Sequence, residues 1–318
     1  MKRKIIKLGR STYVTSLPSV WIREHNLEKG DFVELEEQDG GLRLTAGGQK
    51  KGKKLEIDAT NIQDKILDAE LEMAYTLGYE TIEIIHGMEL KIYRHPYKKK
   101  IKAKTKTTAF VQDKVNTKFI GMEVVEQSDK RTVIKDLGGG VSEEQANNIF
   151  KRILFLISQQ AKESVTKEKG KLEALLPGFD NTRKFIIYYL RVLARTSMPR
   201  TEARVRTNIM THLNSINSAY RSIVAISLAK NMPSKNMRDV LAMVVKNIDD
   251  MKSICLDYKQ EKVIKFLDQR VKTWETFEKK KLQSADLPVM FNMGGLMGAI
   301  WYIVKEFHGM ENRKKIVK

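Results

Sequence analysis

Apolar residues recur at steps of three and four along most of residues 142–318, which is the period of an amphipathic helix. Their stripes run over residues 149–161, 185–193, 209–227, 237–258, 263–277 and 293–307. The stripes are separated by breaks near four prolines, Pro177, Pro199, Pro233 and Pro288. Ser142 and Gln145 form a capping-box signal at the start of the first segment. The pattern predicts an all-α bundle over residues 143–310, built from three plus three helices.

The first 48 residues lack this helical period. Their apolar residues form short runs at residues 4–8, 13–15, 32–35 and 42–44, which predict strands. Ser16 and Pro18 predict the start of one short helix between the second and third runs. Asp39-Gly40 is typical of a hairpin turn. So few large apolar groups cannot form an independent core. We therefore expect two copies of the chain to share one dimeric β-barrel.

Residues 55–137 predict a small α/β region, with a helix at 60–77 and strands at 81–85, 119–125 and 132–134. Glycine-rich linkers are expected at 49–54 and 138–142, and a basic tail at 311–318. The triple glycine within 138–142 could instead cradle a phosphate, but it lacks the Gly-Lys-Ser/Thr ending of a P-loop. The chain as a whole is predicted to be multidomain α+β.

The charge balance bears on the function, because the 318 residues carry a formal net charge of +19. This excess indicates a polyanionic partner, either nucleic acid or an anionic membrane surface. Residues 1–23 contain six basic residues and no acid: Lys2, Arg3, Lys4, Lys7, Arg10 and Arg23. Residues 91–118 contain ten basic residues and one acid. The second stretch is either a solvated arm or a source of accessory DNA contacts from Lys98, Lys99, Lys100, Lys102, Lys104 and Lys106.

Catalytic signatures do not emerge from the sequence. The single cysteine, Cys255, excludes an intramolecular disulfide framework and lies on the apolar stripe of its segment, where a buried structural role is favoured. The five histidines lack zinc-hydrolase spacing, and neither a nucleophile elbow nor a dinucleotide-binding glycine motif is present. The N-terminus lacks the apolar run of a secretory signal. We expect a cytoplasmic protein that is not an enzyme and has no cofactor.

The N-terminal motifs carry a family resemblance. Residues 7–21 read Lys-Leu-Gly-Arg-Ser-Thr-Tyr-Val-Thr-Ser-Leu-Pro-Ser-Val-Trp, and residues 27–31 read Leu-Glu-Lys-Gly-Asp. This order resembles the swapped-hairpin domain of AbrB, SpoVT and MazE-type proteins. The resemblance implies an interleaved homodimer that binds double-stranded DNA through the basic residues of its paired β layer.

The remainder looks like archaeal regulators that join such a domain to a PhoU-like helical domain. Residues 119–126 and 210–225 carry this resemblance. PhoU proteins hold metal clusters with carboxylates spaced by four. Asn214, Ser218, Gly294 and Gly298 occupy those places here. Because neutral side chains and glycine are poor ligands for hard cations, we expect no metal at these positions. The two glycines are expected to permit close helix packing.

One acidic ladder retains the spacing of metal-binding carboxylates. It comprises Asp64, Asp68 and Glu72 on the predicted helix at 60–77. A solvated helix face is the favoured interpretation of this ladder.

These observations favour a DNA-binding transcriptional regulator, with the link to phosphate homeostasis implied by resemblance alone. Its helical domain would sense a protein partner. The alternative is an adaptor that docks on a phosphate transporter or a sensor kinase without binding DNA. An antitoxin of the MazE type is disfavoured, since antitoxins are short.

The run at 287–304 has no formal charge over 18 residues, which is near the lower limit for a membrane span. A buried core helix is favoured, because the run continues the stripe of the bundle. No integral membrane segment is therefore expected.

Overall fold

The computed structural model describes residues 2–25, 27–38, 41–46, 53–92, 104–139, 142–166, 168–196, 198–229 and 233–316. The chain divides into two compact units, Met1–Gly52 and Lys53–Lys318. The regions predicted as 55–137 and 143–310 therefore belong to one unit. Part of each predicted linker, and the last two residues of the predicted tail, lie outside the described residues.

The described residues of the first unit form two hairpins and one short helix. Its elements are β1 (Ile6–Leu8), β2 (Thr12–Val14), α1 (Ser19–Glu24), β3 (Val33–Gln38) and β4 (Gly41–Ala46). β1 pairs antiparallel with β2, and β3 pairs antiparallel with β4. Pro18 is the N-cap of α1 and no described side chain caps this helix, so the predicted capping role of Ser16 is wrong.

The second unit opens with an α/β layer. Its elements are β5 (Lys54–Asp58), α2 (Asp64–Thr76), β6 (Thr81–Ile85), β7 (Glu89–Lys91), β8 (Lys104–Lys106), α3 (Thr107–Lys118), β9 (Met122–Gln127) and β10 (Arg131–Asp136). The sheet has the order β5-β6-β10-β9, with β5 parallel to β6 across α2 and the other pairs antiparallel. A second, two-stranded sheet pairs β7 with β8.

The helix α3 is absent from the prediction, because it lies at the end of the lysine-rich stretch. Its buried positions are Thr107, Val111 and Val115, which recur at steps of four among polar neighbours. Three small or β-branched residues give a weak helical signal. The second part of the stretch is therefore folded rather than a solvated arm.

The rest of the unit is a bundle of long helices. These are α4 (Glu143–Glu163), α5 (Lys169–Arg195), α6 (Arg200–Ala229), α7 (Lys235–Leu256), α8 (Gln260–Lys279) and α9 (Leu287–Ile316), with a short 3₁₀ turn before α9. The capping box of Ser142 and Gln145 is confirmed. Pro177 lies inside α5, so the predicted break there is wrong. Buried Leu175 and Phe179 on either side of the proline anchor the helix in the core.

Helix α5 connects the α/β layer to the bundle. Its Ile187 belongs to the core of the α/β layer. Arg191 Nη2 lies 2.6 Å from Asp136 Oδ2 at the end of β10, with 3% and 6% of the two side chains exposed. Arg191 also donates to the carbonyl of Tyr75 at 2.8 Å, and Arg195 forms a second ion pair with Asp136. These buried contacts explain why both regions form one compact unit.

Helix α9 contains the uncharged run. An 18-residue window within Leu287–Arg313 has a mean hydropathy of 1.5, and 44% of that window is buried in the protein. By length and composition alone, this helix could cross a membrane. Its buried residues, including Met293, Leu296, Ile300 and Ile303, pack in the bundle core.

Candidate nucleic-acid interface

The first hairpin presents two chemically different faces. Ile6 lies opposite Val14 in the strand register, and Lys7 lies opposite Tyr13. Because side chains alternate along a strand, Ile6 and Val14 lie on one face, and Lys7 and Tyr13 on the other. Gly9 adopts a φ of +75°, a conformation that favours glycine, and opens the turn that carries Arg10.

The predicted DNA contacts are exposed. Lys2, Arg3 and Lys4 precede β1, whereas Arg23 lies in the last turn of α1. None of the six predicted residues forms an ion pair with a described residue. Unpaired lysine and arginine side chains at the surface are suited to phosphate contacts. Tyr13 is not among the predicted contacts, although strand alternation with the turn at Gly9 could have placed it beside Lys7.

The opposite faces of both hairpins are apolar and uncovered. Ile6 is 60% exposed and Leu8 is 62% exposed. In the second hairpin, Leu35 lies opposite Leu44, and Leu35 is 59% exposed. Among the residues of Met1–Gly52 whose side-chain exposure the structure describes, none is buried. Large side chains gain about 1.5–3 kcal/mol each when they are fully buried, so these faces favour association.

We expect the apolar face of the first hairpin to control oligomeric state. The double change Ile6→Ser/Leu8→Ser should shift full-length protein from dimer to monomer in light scattering, because it removes apolar surface from the expected interface. Tyr13→Ser, on the opposite face of the hairpin, is the matched control and should leave the dimer intact. Dimers of the double variant would contradict this assignment.

The structure describes two of the six predicted accessory lysines. Lys98, Lys99, Lys100 and Lys102 lie outside the described residues. Lys104 Nζ lies 2.6 Å from Glu89 Oε2, so its charge is already partnered within the β7–β8 hairpin. Lys106 is exposed at the N-cap of α3. Of the two accessory lysines that the structure describes, Lys106 is therefore the better placed to contact a polyanion.

The four positions that the resemblance aligns with metal-binding carboxylates are Asn214, Ser218, Gly294 and Gly298. Asn214 accepts a hydrogen bond from Arg183 at 3.2 Å, and Ser218 is exposed. A Cβ atom added at Gly294 or Gly298 would meet no described atom within 4 Å. The expectation that these glycines permit close packing is therefore wrong. Among the residues described, His, Cys, Asp and Glu form no group of three that could hold a metal ion.

The acidic ladder on α2 is engaged in ion pairs. Asp68 Oδ1 lies 2.6 Å from the ammonium group of Lys118 on α3. Glu72 Oε1 lies 2.6 Å from the guanidinium group of Arg183 on α5. The ladder thus connects α2 to its neighbours, and the interpretation as a merely solvated face is wrong.

Replacing Gly294 or Gly298 with alanine should stabilise the protein. Both glycines lie in the interior of α9 with open space around them, and alanine is favoured over glycine in helices by about 1 kcal/mol. Urea unfolding followed by circular dichroism should show that the free energy of unfolding rises by about 1 kcal/mol in each variant. A loss of stability would mean that another molecule or segment packs on this face.

No family model, curated protein or solved structure was found to match this chain.

Proposed function

We propose that the protein is a dimeric regulator that binds double-stranded DNA through its first unit. The observation that carries the proposal is the first hairpin: it has an exposed apolar side suited to a second copy, Lys7 on the other side, and exposed cations in its turn and in the segments before and after it. Phosphate contacts from these cations would supply most of the affinity, and arginine is the better candidate for reading guanine. The phosphate-homeostasis role, the swapped-hairpin barrel and the PhoU-like repeats are proposed from resemblance.

A second function, an adaptor that does not bind DNA, is favoured by a different observation. Residues 1–52 contain 10 basic and 7 acidic residues, so this unit contributes only +3 to the net charge. Most of the positive charge therefore belongs to the second unit. In an adaptor, the first unit would serve dimerisation, and the helical region would dock on a phosphate transporter or a sensor kinase.

The salt dependence of DNA binding tests the proposal. Full-length protein should bind duplex DNA with an affinity that falls steeply on a log–log plot against salt concentration. Sequencing of the DNA that co-purifies with the protein from its native cell should then reveal enriched sites. Failure to bind duplex DNA at low ionic strength would favour the adaptor.

A further inference from the structure

Helix α8 leaves the middle of its predicted apolar stripe exposed. The predicted stripe contains Leu267 and Val271, but the structure leaves them 37% and 53% exposed. Ile264, one turn before Leu267, is 54% exposed. Val263, at the start of the stripe, is buried, together with Phe266 and Thr273, which lie outside it. Trp274 and Phe277, at the end of the stripe, are partly buried against the bundle core. An apolar strip thus lies on the surface of a helix that is otherwise well anchored.

The exposed strip follows a heptad. Ile264 and Val271 occupy equivalent positions seven residues apart, and Leu267 lies between them at a spacing of three and four. This is the a/d spacing through which one helix packs against another. The strip continues at Trp274, which is half-buried.

An acidic row lies beside the strip. Glu261, Asp268 and Glu275 recur every seven residues at the heptad position next to the apolar strip, and all three are exposed. None of these carboxylates forms an ion pair with a described residue. A row of lysines, Lys265, Lys272 and Lys279, lies further round the helix from the strip. The charge that borders the apolar strip is therefore negative, in a chain whose net charge is +19.

The other side of the strip faces the bundle. The heptad positions there are Val263, Arg270 and Phe277, of which Val263 is buried and the other two are half-buried. The Arg270 guanidinium stacks over the ring of Trp301 on α9 at 5.7 Å. A docking helix can therefore approach only from the side that carries the acidic row.

This geometry disfavours a second copy of α8 as the occupant. With one side blocked by the bundle, two copies could pair only by setting their acidic rows against each other. Like charges across a helix interface are unfavourable and select against that pairing. A helix with basic residues beside its apolar face has the complementary charge.

We propose that the strip of Ile264, Leu267 and Val271, with its acidic row, is a docking site for a basic amphipathic helix of a partner protein. The inference rests on the expectation, shared by the regulator and the adaptor, that the helical region has a protein partner. It is independent of DNA binding, which belongs to the first unit. The partner's apolar residues cover the strip, and its lysines or arginines pair with the three carboxylates.

Two synthetic peptides test the charge preference. Both carry leucine at heptad positions a and d; one carries lysine at e and g, and the other carries glutamate there. Fluorescence anisotropy with full-length protein should show that the lysine peptide binds with an affinity about 10-fold or more above that of the glutamate peptide. The net charge of the protein predicts the opposite order. Equal binding of the two peptides, or tighter binding of the glutamate peptide, would overturn the proposal.

Variants then locate the site. Glu261→Lys/Asp268→Lys/Glu275→Lys should reverse the peptide preference. The matched triple Glu123→Lys/Glu144→Lys/Glu173→Lys changes exposed acids on other elements by the same total charge and should preserve it. Leu267→Ser/Val271→Ser should weaken both peptides about 10-fold or more, because it removes apolar contact area. Identical effects of the two lysine triples would show that binding occurs elsewhere.

The duplex-DNA affinity of the same preparations separates the two proposals. The α8 variants and their control should bind DNA alike, since both triples add the same charge. If the unsubstituted protein bound DNA but did not prefer the lysine peptide, the docking site alone would be overturned. Peptide binding without DNA binding would instead overturn the regulator and leave the docking site standing.

Discussion

Replacing Arg3, Lys7 and Arg10 with alanine should lower the affinity for duplex DNA by about 100-fold or more at physiological salt. These residues lie on or next to the first hairpin, and each is exposed without an ion pair to a described residue. A dimer would lose up to six phosphate contacts. The slope of log affinity against log salt should therefore become shallower by about five. Titrations of full-length protein at several salt concentrations measure both quantities.

A charge-matched control is needed, because any loss of positive charge weakens binding to a polyanion. Lys130, Lys135 and Lys246 are exposed in the second unit, and replacing them with alanine removes the same charge. That variant should keep a slope within about one of the original. If the two triple variants lost equal affinity and slope, binding would follow net charge rather than the hairpin, and the assigned interface would be wrong.

Local patterns were sufficient to predict elements whose chemistry is strong and contiguous. The strand at 81–85 carries four β-branched residues in five, and β6 has these bounds. The capping box before α4 is also local, because its two residues lie three apart. Such signals need no knowledge of what packs against the element. The coarse α+β division follows from them.

Periodicity could not show which of two apolar faces is buried. On α8, the predicted stripe contains Val263, Leu267 and Val271, but the neighbouring helices bury Val263 with Phe266 and leave Leu267 and Val271 exposed. The same limitation applies to Gly294, whose spacing alone resembles a close-packing position. Tertiary neighbours similarly keep Pro177 inside α5, where local preference predicts a break.

Ion pairs between distant parts of the chain could not be predicted from the sequence for another reason. Asp136 and Arg191 are 55 residues apart, and neither belongs to a recognisable motif. Their pairing depends on where β10 ends against α5. For the proposed DNA interface, by contrast, the dense cluster of cations before and within one hairpin is visible in the sequence. Only the ion-pair partners of each charge required the structure.

Replacing Asp136 with alanine should destabilise the second unit by about 3–5 kcal/mol. Arg191 is 3% exposed, and its principal anionic partner is Asp136. Burial already lowers the pKa of Arg191. Without the carboxylate, the buried cation would keep the Tyr75 carbonyl, the tyrosine ring beneath it and a weaker electrostatic interaction with Glu80. Urea unfolding followed by circular dichroism at 222 nm reports this loss, because the long helices dominate that signal.

Two comparisons separate charge burial from general disruption at this contact. Glu80→Ala removes the more exposed partner of Arg195 and should cost at most about 1 kcal/mol, as partly solvated pairs do. The double change Asp136→Leu/Arg191→Met replaces both buried charges with apolar side chains and should recover most of the stability lost in Asp136→Ala. If the free energy of unfolding of Asp136→Ala were within about 1 kcal/mol of that of the original protein, the packing of α5 would not depend on this contact. The layer and the bundle would then be held together chiefly by apolar packing around Ile187.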